Sequence, residues 1–350
     1  MNRRNKSPLF PVCNLVCTLF LIILVKQAQA TPLLDLGIAG TFNGFVLGDM
    51  KASNSDIEGR LAVGGNLSLN NYSIGQQLPN SNGTRDDLIT GGTLDFNNGR
   101  VYNGNARSGG AANIGPTVGF YDTNPLVPNG GYLAGNPLDF ASIGAGLKEQ
   151  SIEWSGLSST GGTLIDAFNN IQLQGINTGL NVFSLSGDML SIASSFWLDI
   201  PDDSWALVNI SGSVINMHDF AFFRTINNSP QQLPDNQPGV FRQDGHLTQK
   251  IVFNLFESNM LTMNAIGIKG NILAPYADTS FYNGHIDGNL IVGSLSSPAG
   301  QNTGELHYYP VGGGIESIPS LSLFMQLILL LAALIQLNLW SKKKAHFERA

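Results

Sequence analysis

The residues best placed to do chemistry are two pairs of adjacent carboxylates, Asp86-Asp87 and Asp202-Asp203. Paired carboxylates can divide acid and base work in cleaving a glycosidic bond, and coiled β enzymes that cleave polysaccharides carry such groups on one face. His218-Asp219 and His285 with Asp287 have the residue types for proton transfer. Against this, the chain holds no Gly-x-Ser-x-Gly elbow, no P-loop and no His-Glu-x-x-His. The five histidines (His218, His246, His285, His307 and His346) have no zinc spacing. Acidic pairs are common in solvated turns. Turn and surface residues are therefore the expectation for all of these groups, and no catalytic, cofactor-binding or metal-binding residue is assigned. Asn/Asp/Gly-rich loops suit calcium only weakly, because no EF-hand or Gly-Gly-x-Gly-x-Asp run occurs.

What would position such residues is a short recurring pattern: aliphatic, any residue, Gly, polar, aliphatic. It stands at Ile57-Glu58-Gly59-Arg60-Leu61, Ile210-Ser211-Gly212-Ser213-Val214, Ile268-Lys269-Gly270-Asn271-Ile272 and Ile286-Asp287-Gly288-Asn289-Leu290. The last two copies lie 18 residues apart, which suits one coil of a narrow β-solenoid with Gly at a corner and the aliphatics inward. Leu61–Leu69 is echoed by Leu88–Phe96, each with a Gly-Gly turn at its centre. Leu180–Leu185, Trp197–Ile200 and Ala206–Ile210 alternate as strands, and Ile251–Leu255 opens a closing set.

Three segments break this rhythm. Residues 76–85 form a polar surface loop, residues 111–137 read as a Gly/Pro/Asn-rich loop, and residues 227–244 read as another. Leu138–Leu157 is the one convincing helix, with Phe140, Ile143, Leu147, Ile152 and Trp154 near helical spacing. It is expected to pack across the solenoid or cover one open end, because open ends present unpaired strand edges. Tyr72, Tyr102, Tyr276, Phe281 and Tyr282 are expected in the core. An exposed ladder of them would be the first candidate binding face.

Charged residues make up 12 % of the 350, too few for long solvated helices and suited to short strands and tight turns. The net charge of −7 understates the body. Eight of the 18 basic residues lie near the two ends, leaving ten in residues 31–317 against 24 acidic ones, a balance near −14. Such a body is unsuited to nucleic acid. The two cysteines, Cys13 and Cys17, precede the body, so disulfides and thiolate metal sites play no part in it.

Both ends read as addresses. Arg3, Arg4 and Lys6, an apolar run over Leu15–Val25, and Ala28-Gln29-Ala30 form a secretory signal over residues 1–30 with cleavage after Ala30. A Gly-rich linker and sorting motif occupy residues 311–320. Residues 321–341 form a transmembrane helix, since about 20 apolar residues cross the bilayer. Lys342, Lys343 and Lys344 hold the basic tail, residues 342–350, on the cytoplasmic side. Ile318, Pro319 and Ser320 open a segment that resembles the IPTL-CTERM sorting tails, with Ser320 where those have Thr. The resemblance implies a sorting protease as partner.

Residues 53–66, Ser-Asn-Ser-Asp-Ile-Glu-Gly-Arg-Leu-Ala-Val-Gly-Gly-Asn, resemble the opening signature of the choice-of-anchor A family. Gly270–Ala277 and Phe281–Ile291 resemble its closing hallmark, and the likeness spans roughly residues 40–310. It implies a β-helical adhesive domain over residues 31–310, with no catalytic residues carried over. The expected protein is all-β: a parallel β-helix or β-solenoid-like body with one helix packed on it, plus the C-terminal transmembrane helix. It would be an exported, non-catalytic adhesin binding extracellular matrix protein or polysaccharide. It would be anchored in the inner membrane facing outward, sorted to the surface, or released after processing. Two other readings stay open: a self-associating structural protein of the surface or biofilm matrix, and a polysaccharide-active β-helix enzyme using Asp202 and Asp203.

Overall fold

The computed structural model describes residues 34–227, 229–233 and 245–313. The signal segment with Ala28 and Ala30, the motif Ile318-Pro319-Ser320, the apolar span and Lys342–Lys344 lie outside them. Among the described residues no helix is long and apolar enough to cross a membrane. The chain divides after Asp35 into two units, and the second, from Leu36 onward, holds all the regular secondary structure of the described residues.

From residue 44 the chain winds as a three-walled coil. Its strands are Gly44–Val46 (β1), Met50–Ile57 (β2), Leu61–Val63 (β3), Leu67–Ile74 (β4) and Asp86–Thr90 (β5). Leu94–Val101 (β6), Asn105–Ser108 (β7), Ala112–Gly119 (β8) and Tyr132–Ala134 (β9) complete this half. Helix α1, Phe140–Ser155, comes next. Winding resumes with Gly162–Ile165 (β10), Asn170–Gln174 (β11), Leu180–Ser186 (β12), Ser195–Asp199 (β13) and Trp205–Ser211 (β14). Then come Val214–His218 (β15), Ala221–Ile226 (β16), Ser229–Gln232 (β17), Ile251–Asn254 (β18) and Met260–Asn264 (β19). The last are Gly267–Ile268 (β20), Asn271–Tyr282 (β21), His285–Asp287 (β22), Leu290–Ser296 (β23) and Glu305–His307 (β24).

The stacking order departs from chain order. The first wall runs β12, β14, β18, β21, β23, β1, β3, β5, β7, β9, all parallel. The first coil thus sits on the last: Phe45 pairs with Ile291 at a central seam. The second wall stacks β15, β19, the later parts of β21 and β23, then the first parts of β2, β4, β6 and β8. The third wall stacks β20, β22 and β24 on the later parts of β2, β4, β6 and β8. In the more distant coils the third position belongs to a separate five-stranded sheet, β10-β11-β13-β16-β17, whose two edge strands are antiparallel.

The repeat sets the coil length. Ile268 lies opposite Ile286, one repeat further on, and all four aliphatics of these two copies are fully buried. Leu61 lies opposite Leu88, so the echo between their two segments is one coil plus the loop of residues 76–85. Gly59, Gly270 and Gly288 turn the corner from the third wall to the first, whereas Gly212 turns from the first to the second. Val214, expected inward, is 53 % exposed.

First-wall strands such as Leu61-Ala62-Val63 and Leu290-Ile291-Val292 are buried on both sides, which is why they read as continuous apolar runs. The inner side chains line the core; much of the outer side lies under α1. Asp139 caps that helix, accepting from the Ser142 amide at 3.0 Å. Phe140 packs on Phe45, ring centroids 5.4 Å apart. Trp154, fourteen residues on, accepts at its carbonyl from Asn209 Nδ2 at 2.7 Å. Those fourteen residues rise about 21 Å, and the four strand spacings from β1 to β14 make about 19 Å. The helix therefore lies on the wall across successive coils and over the seam, the first of the two expected placements, and does not cover an end. Buried amides dock it: Asn254 Nδ2 donates to the Ser151 carbonyl at 2.8 Å and to Asn209 Oδ1 at 2.9 Å.

Two expected loops contain strands. Residues 112–119 and 132–134 extend the stack, with Leu94 opposite Ala112, and Ser229–Gln232 forms a hairpin with β16. A preceding coil offers a full row of backbone partners, which outweighs weak side-chain propensity. The remainder of the 227–244 segment is largely outside the described residues. Short helices also occur at Gly187–Ser191 and Gly245–Thr248.

Buried asparagines hold the corners. Asn289 Nδ2 donates to the Gly40 and Phe42 carbonyls, and its Oδ1 accepts from the Val311 amide at 2.8 Å. Asn43 Nδ2 donates across the seam to the Gly288 carbonyl at 2.7 Å. Asn289→Ala would strand three buried backbone groups. A loss of about 3 kcal/mol in urea unfolding is expected, since each costs roughly 1–3 kcal/mol when some relaxation is allowed.

Candidate functional site

Three surfaces place polar chemistry together. The broadest is the second wall. Its inner side chains, among them Ile215, Leu261, Leu295, Leu67 and Phe96, are buried. Its outer row runs Asn216, Thr262, Ser280, Ser296, Lys51, Ser68, Asp95, Asn113, one residue per coil. All eight are partly or fully exposed. Seven strand spacings make the row about 34 Å long. At its edge Asn98 Nδ2 donates to Asn71 Oδ1 at 3.3 Å, and Asn71 Nδ2 to Asn54 Oδ1 at 3.1 Å. Asn54 and Asn71 have φ near +50°, which asparagine tolerates better than most residues.

The second surface is a column of ionisable groups at the corner of the third and first walls. Lys269, Asp287 and His307 occupy successive coils, and Glu58 comes next by register. All four are at most 8 % exposed. Lys269 Nζ donates to Asp287 Oδ2 at 2.6 Å, and His307 Nδ1 pairs with Asp287 Oδ1 at 2.6 Å. His307 Nε2 lies 3.3 Å from Glu305 Oε1, inside ion-pair range but poorly aligned for a hydrogen bond. His285 stacks on His307 with ring centroids 4.7 Å apart. Burial opposes charge on His307, but the Asp287 hydrogen bond and the charges of Asp287 and Glu305 outweigh it and raise the pKa. For Asp287 burial pushes upward, and the His307 hydrogen bond with the Lys269 and histidine charges pulls the pKa below the usual value.

His285, Asp287 and His307 offer donor atoms within 4.8 Å of one another, as a metal site would. Two of those donors are already bonded to each other, and the Lys269 ammonium supplies the compensating positive charge beside the carboxylate. The residues fit an ion-paired structural network better than a metal cage.

The third surface is a shallow cleft of about 260 Å³ on the five-stranded sheet, beside Trp197. Trp197 stacks on Phe223 at 4.2 Å with the rings 7° from parallel.

The carboxylate pairs do not converge. Asp86 Oδ2 takes Arg107 Nε at 2.6 Å, while Asp87, fully buried, takes Arg85 Nε at 2.5 Å. Burial raises the Asp87 pKa, against the pull of Arg85 and Arg60. Asp202 and Asp203 are exposed on a turn whose carbonyls the buried Arg224 binds, and Asp203 Oδ1 lies 3.6 Å from Lys250. His218 and Asp219 are exposed neighbours at 3.1 Å. The His246 side chain and His346 lie outside the described residues. Tyr72 and Phe281 are core residues; Tyr276 is 39 % exposed beneath Lys148, and no ladder of the five aromatics forms. The sequence reading missed the His307–Asp287–Lys269 network and the Trp197–Phe223 stack. The former was legible in part, since Glu58, Lys269 and Asp287 all hold the unspecified position of the repeat.

These features define a two-part parallel β-solenoid bearing one polar wall. The chain belongs to the family described as putative ice-binding-like adhesive domain, whose model matches residues 35–308. No curated protein and no solved structure matches it.

Proposed function

We propose that this protein is an exported adhesin that grips matrix or polysaccharide surfaces through its second wall and is held to the envelope by its C-terminal segment. The observation that carries this reading is the eight-rung outer row of mostly small polar side chains, in a chain whose family is described as adhesive. Lys51 and Asp95 put charges in the row, which favours a hydrated polymer over an apolar or crystalline surface. At about 34 Å by 13 Å, the wall offers roughly 450 Å². That is well below the roughly 800 Å² per partner of a stable pairwise interface. Single contacts would be weak and attachment would come from many copies on one cell.

The full chain displayed on a non-adherent bacterium should raise retention under flow on collagen- or polysaccharide-coated glass at least tenfold. Arginine at Thr262 and Ser68 together should return it towards background while leaving the surface level of protein unchanged. Retention no higher than that of empty-vector cells on every coating would refute the proposal.

A further inference from the structure

The cleft on the five-stranded sheet brings an aromatic side chain together with amide, hydroxyl and carboxylate groups. Its outer row runs Leu164, Gln172, Trp197, Phe223, Gln232 across neighbouring strands. A second row beside it runs Gln174, Asp199, Thr225, Pro230. The cleft lies over both, lined by Gln172, Gln174, Trp197, Asp199, Thr225 and Pro230 among others. Trp197 and Phe223 are half-buried despite pointing away from the core. Their parallel stack forms one apolar ridge, and Trp197 is held in place because its Nε1 donates to Ser195 Oγ at 2.6 Å. Ser195 Oγ in turn donates to Asn170 Oδ1 at 2.6 Å. A supporting chain of hydrogen bonds that fixes a half-buried, outward-pointing indole is what a binding platform needs and a loose surface residue lacks.

We infer that this cleft binds an uncharged glycan. A pyranose ring has an apolar face of C–H groups and a rim of hydroxyls, each both donor and acceptor. The Trp197 indole, which lines the cleft and is backed by the Phe223 ring, matches the face. The amides of Gln172 and Gln174, the Thr225 hydroxyl and the Asp199 carboxylate match the rim, offering both donors and acceptors. Charge selects the class. Among the described residues Asp199 is the one ionisable group lining the cleft, no lysine or arginine lines it, and the body is near −14. An acidic polysaccharide would meet a carboxylate with no cation beside it and a repulsive field. At about 260 Å³ the cleft lies just under the roughly 300–1,000 Å³ of drug-sized sites. It therefore takes one or two sugar rings, and affinity per site is modest.

This narrows the adhesive reading to a ligand class at a separate place, so the two can fail separately. The purified full chain in detergent is titrated by calorimetry with cellohexaose, xylohexaose, chitohexaose and mannohexaose, and with hexamers of polygalacturonate and alginate. At least one neutral oligomer should bind saturably, and the acidic ones at least tenfold more weakly. Trp197→Ala should weaken binding tenfold or more, and Phe223→Ala, which removes the ring backing Trp197, should weaken it less. Trp197→Phe should retain part of it, and Leu126→Gln, on an exposed stretch outside both the cleft and the second wall, should retain all of it. Unchanged unfolding midpoints show that the cleft variants are folded; a variant that is not folded is replaced by Gln172→Ala with Thr225→Ala, expected to weaken binding at least fivefold. The inference is overturned if no neutral oligomer binds, if binding survives loss of the ridge, or if the acidic oligomers bind equally well. Glycan binding by a chain that gives no adhesion under flow would leave this site standing and remove the second-wall reading.

Discussion

Asp287→Ala is expected to lower unfolding stability by about 3–5 kcal/mol, the cost of breaking a buried ion pair from one side. The carboxylate is the hub that Lys269 and His307 share, and both partners are almost wholly buried. Removing it leaves a buried ammonium and a buried imidazolium without the carboxylate between them. Adding Lys269→Met to the variant should recover part of the loss, because the stranded charge goes with it. The network also sets a pH dependence. His307 has a raised pKa, so its contribution is complete below the unfolded value of about 6.5 and fades as pH rises through the folded one. Asp287 has a lowered pKa, so its contribution is complete above about 3.9 and fades as pH falls through the folded one. Urea midpoints should therefore be highest between about pH 4 and 6.5 and decline towards alkaline pH. In Asp287→Ala the alkaline decline should largely vanish. An unaltered midpoint and pH profile in that variant would show that the network does not contribute to stability.

Gly288→Ala should cost about 4 kcal/mol or prevent folding, while Gly300→Ala should cost only about 1 kcal/mol. Both glycines have positive φ, +159° and +82°. They differ in what a methyl group would meet. At Gly288 a Cβ would lie 2.5 Å from the Gly270 carbonyl oxygen and 2.7 Å from its carbon, the backbone of the coil beneath. No side chain there can give way. At Gly300 nothing lies within 4 Å, so only the backbone strain remains. Equilibrium unfolding of the two variants, or soluble yield if Gly288→Ala does not fold, separates steric wedging of the coils from strain. Equal costs would mean that corner glycines are kept for their dihedral angles alone.

The coil length and the aliphatic lining were legible because they depend on local alternation and a fixed short period. Ile268, Ile272, Ile286 and Leu290 obey that rule without exception. Stacking order was not legible, because pairing Phe45 with Ile291 depends on where α1 returns the chain, and no local pattern encodes that. Residues 112–119 read as a loop for a related reason: their strand character comes from the backbone row they join, not from their Gly, Asn and Thr content. Of the chemistry, Asp202-Asp203 stood out in sequence and proved to be a solvated turn. His307 stood alone in sequence, and only the corner register brings it to Asp287. The Trp197–Phe223 ridge is likewise a product of register, since its members belong to different coils, on β13 and β16.

The seam has a mechanical consequence. The coils at the two tips are built from interior stretches of the chain, near residues 119–134 and 162–186, while residue 44 and residue 307 both lie at the middle of the stack. Val311 packs against Gly40, so the segment that leaves the described body does so beside the place where the first coil begins. On the proposed reading, a tether continuing from there would hold the solenoid by its waist, like a crossbar on a post. A pull on it would load the interlocked amides of Asn43 and Asn289 before either tip, and both tips would be free to swing over the same surface.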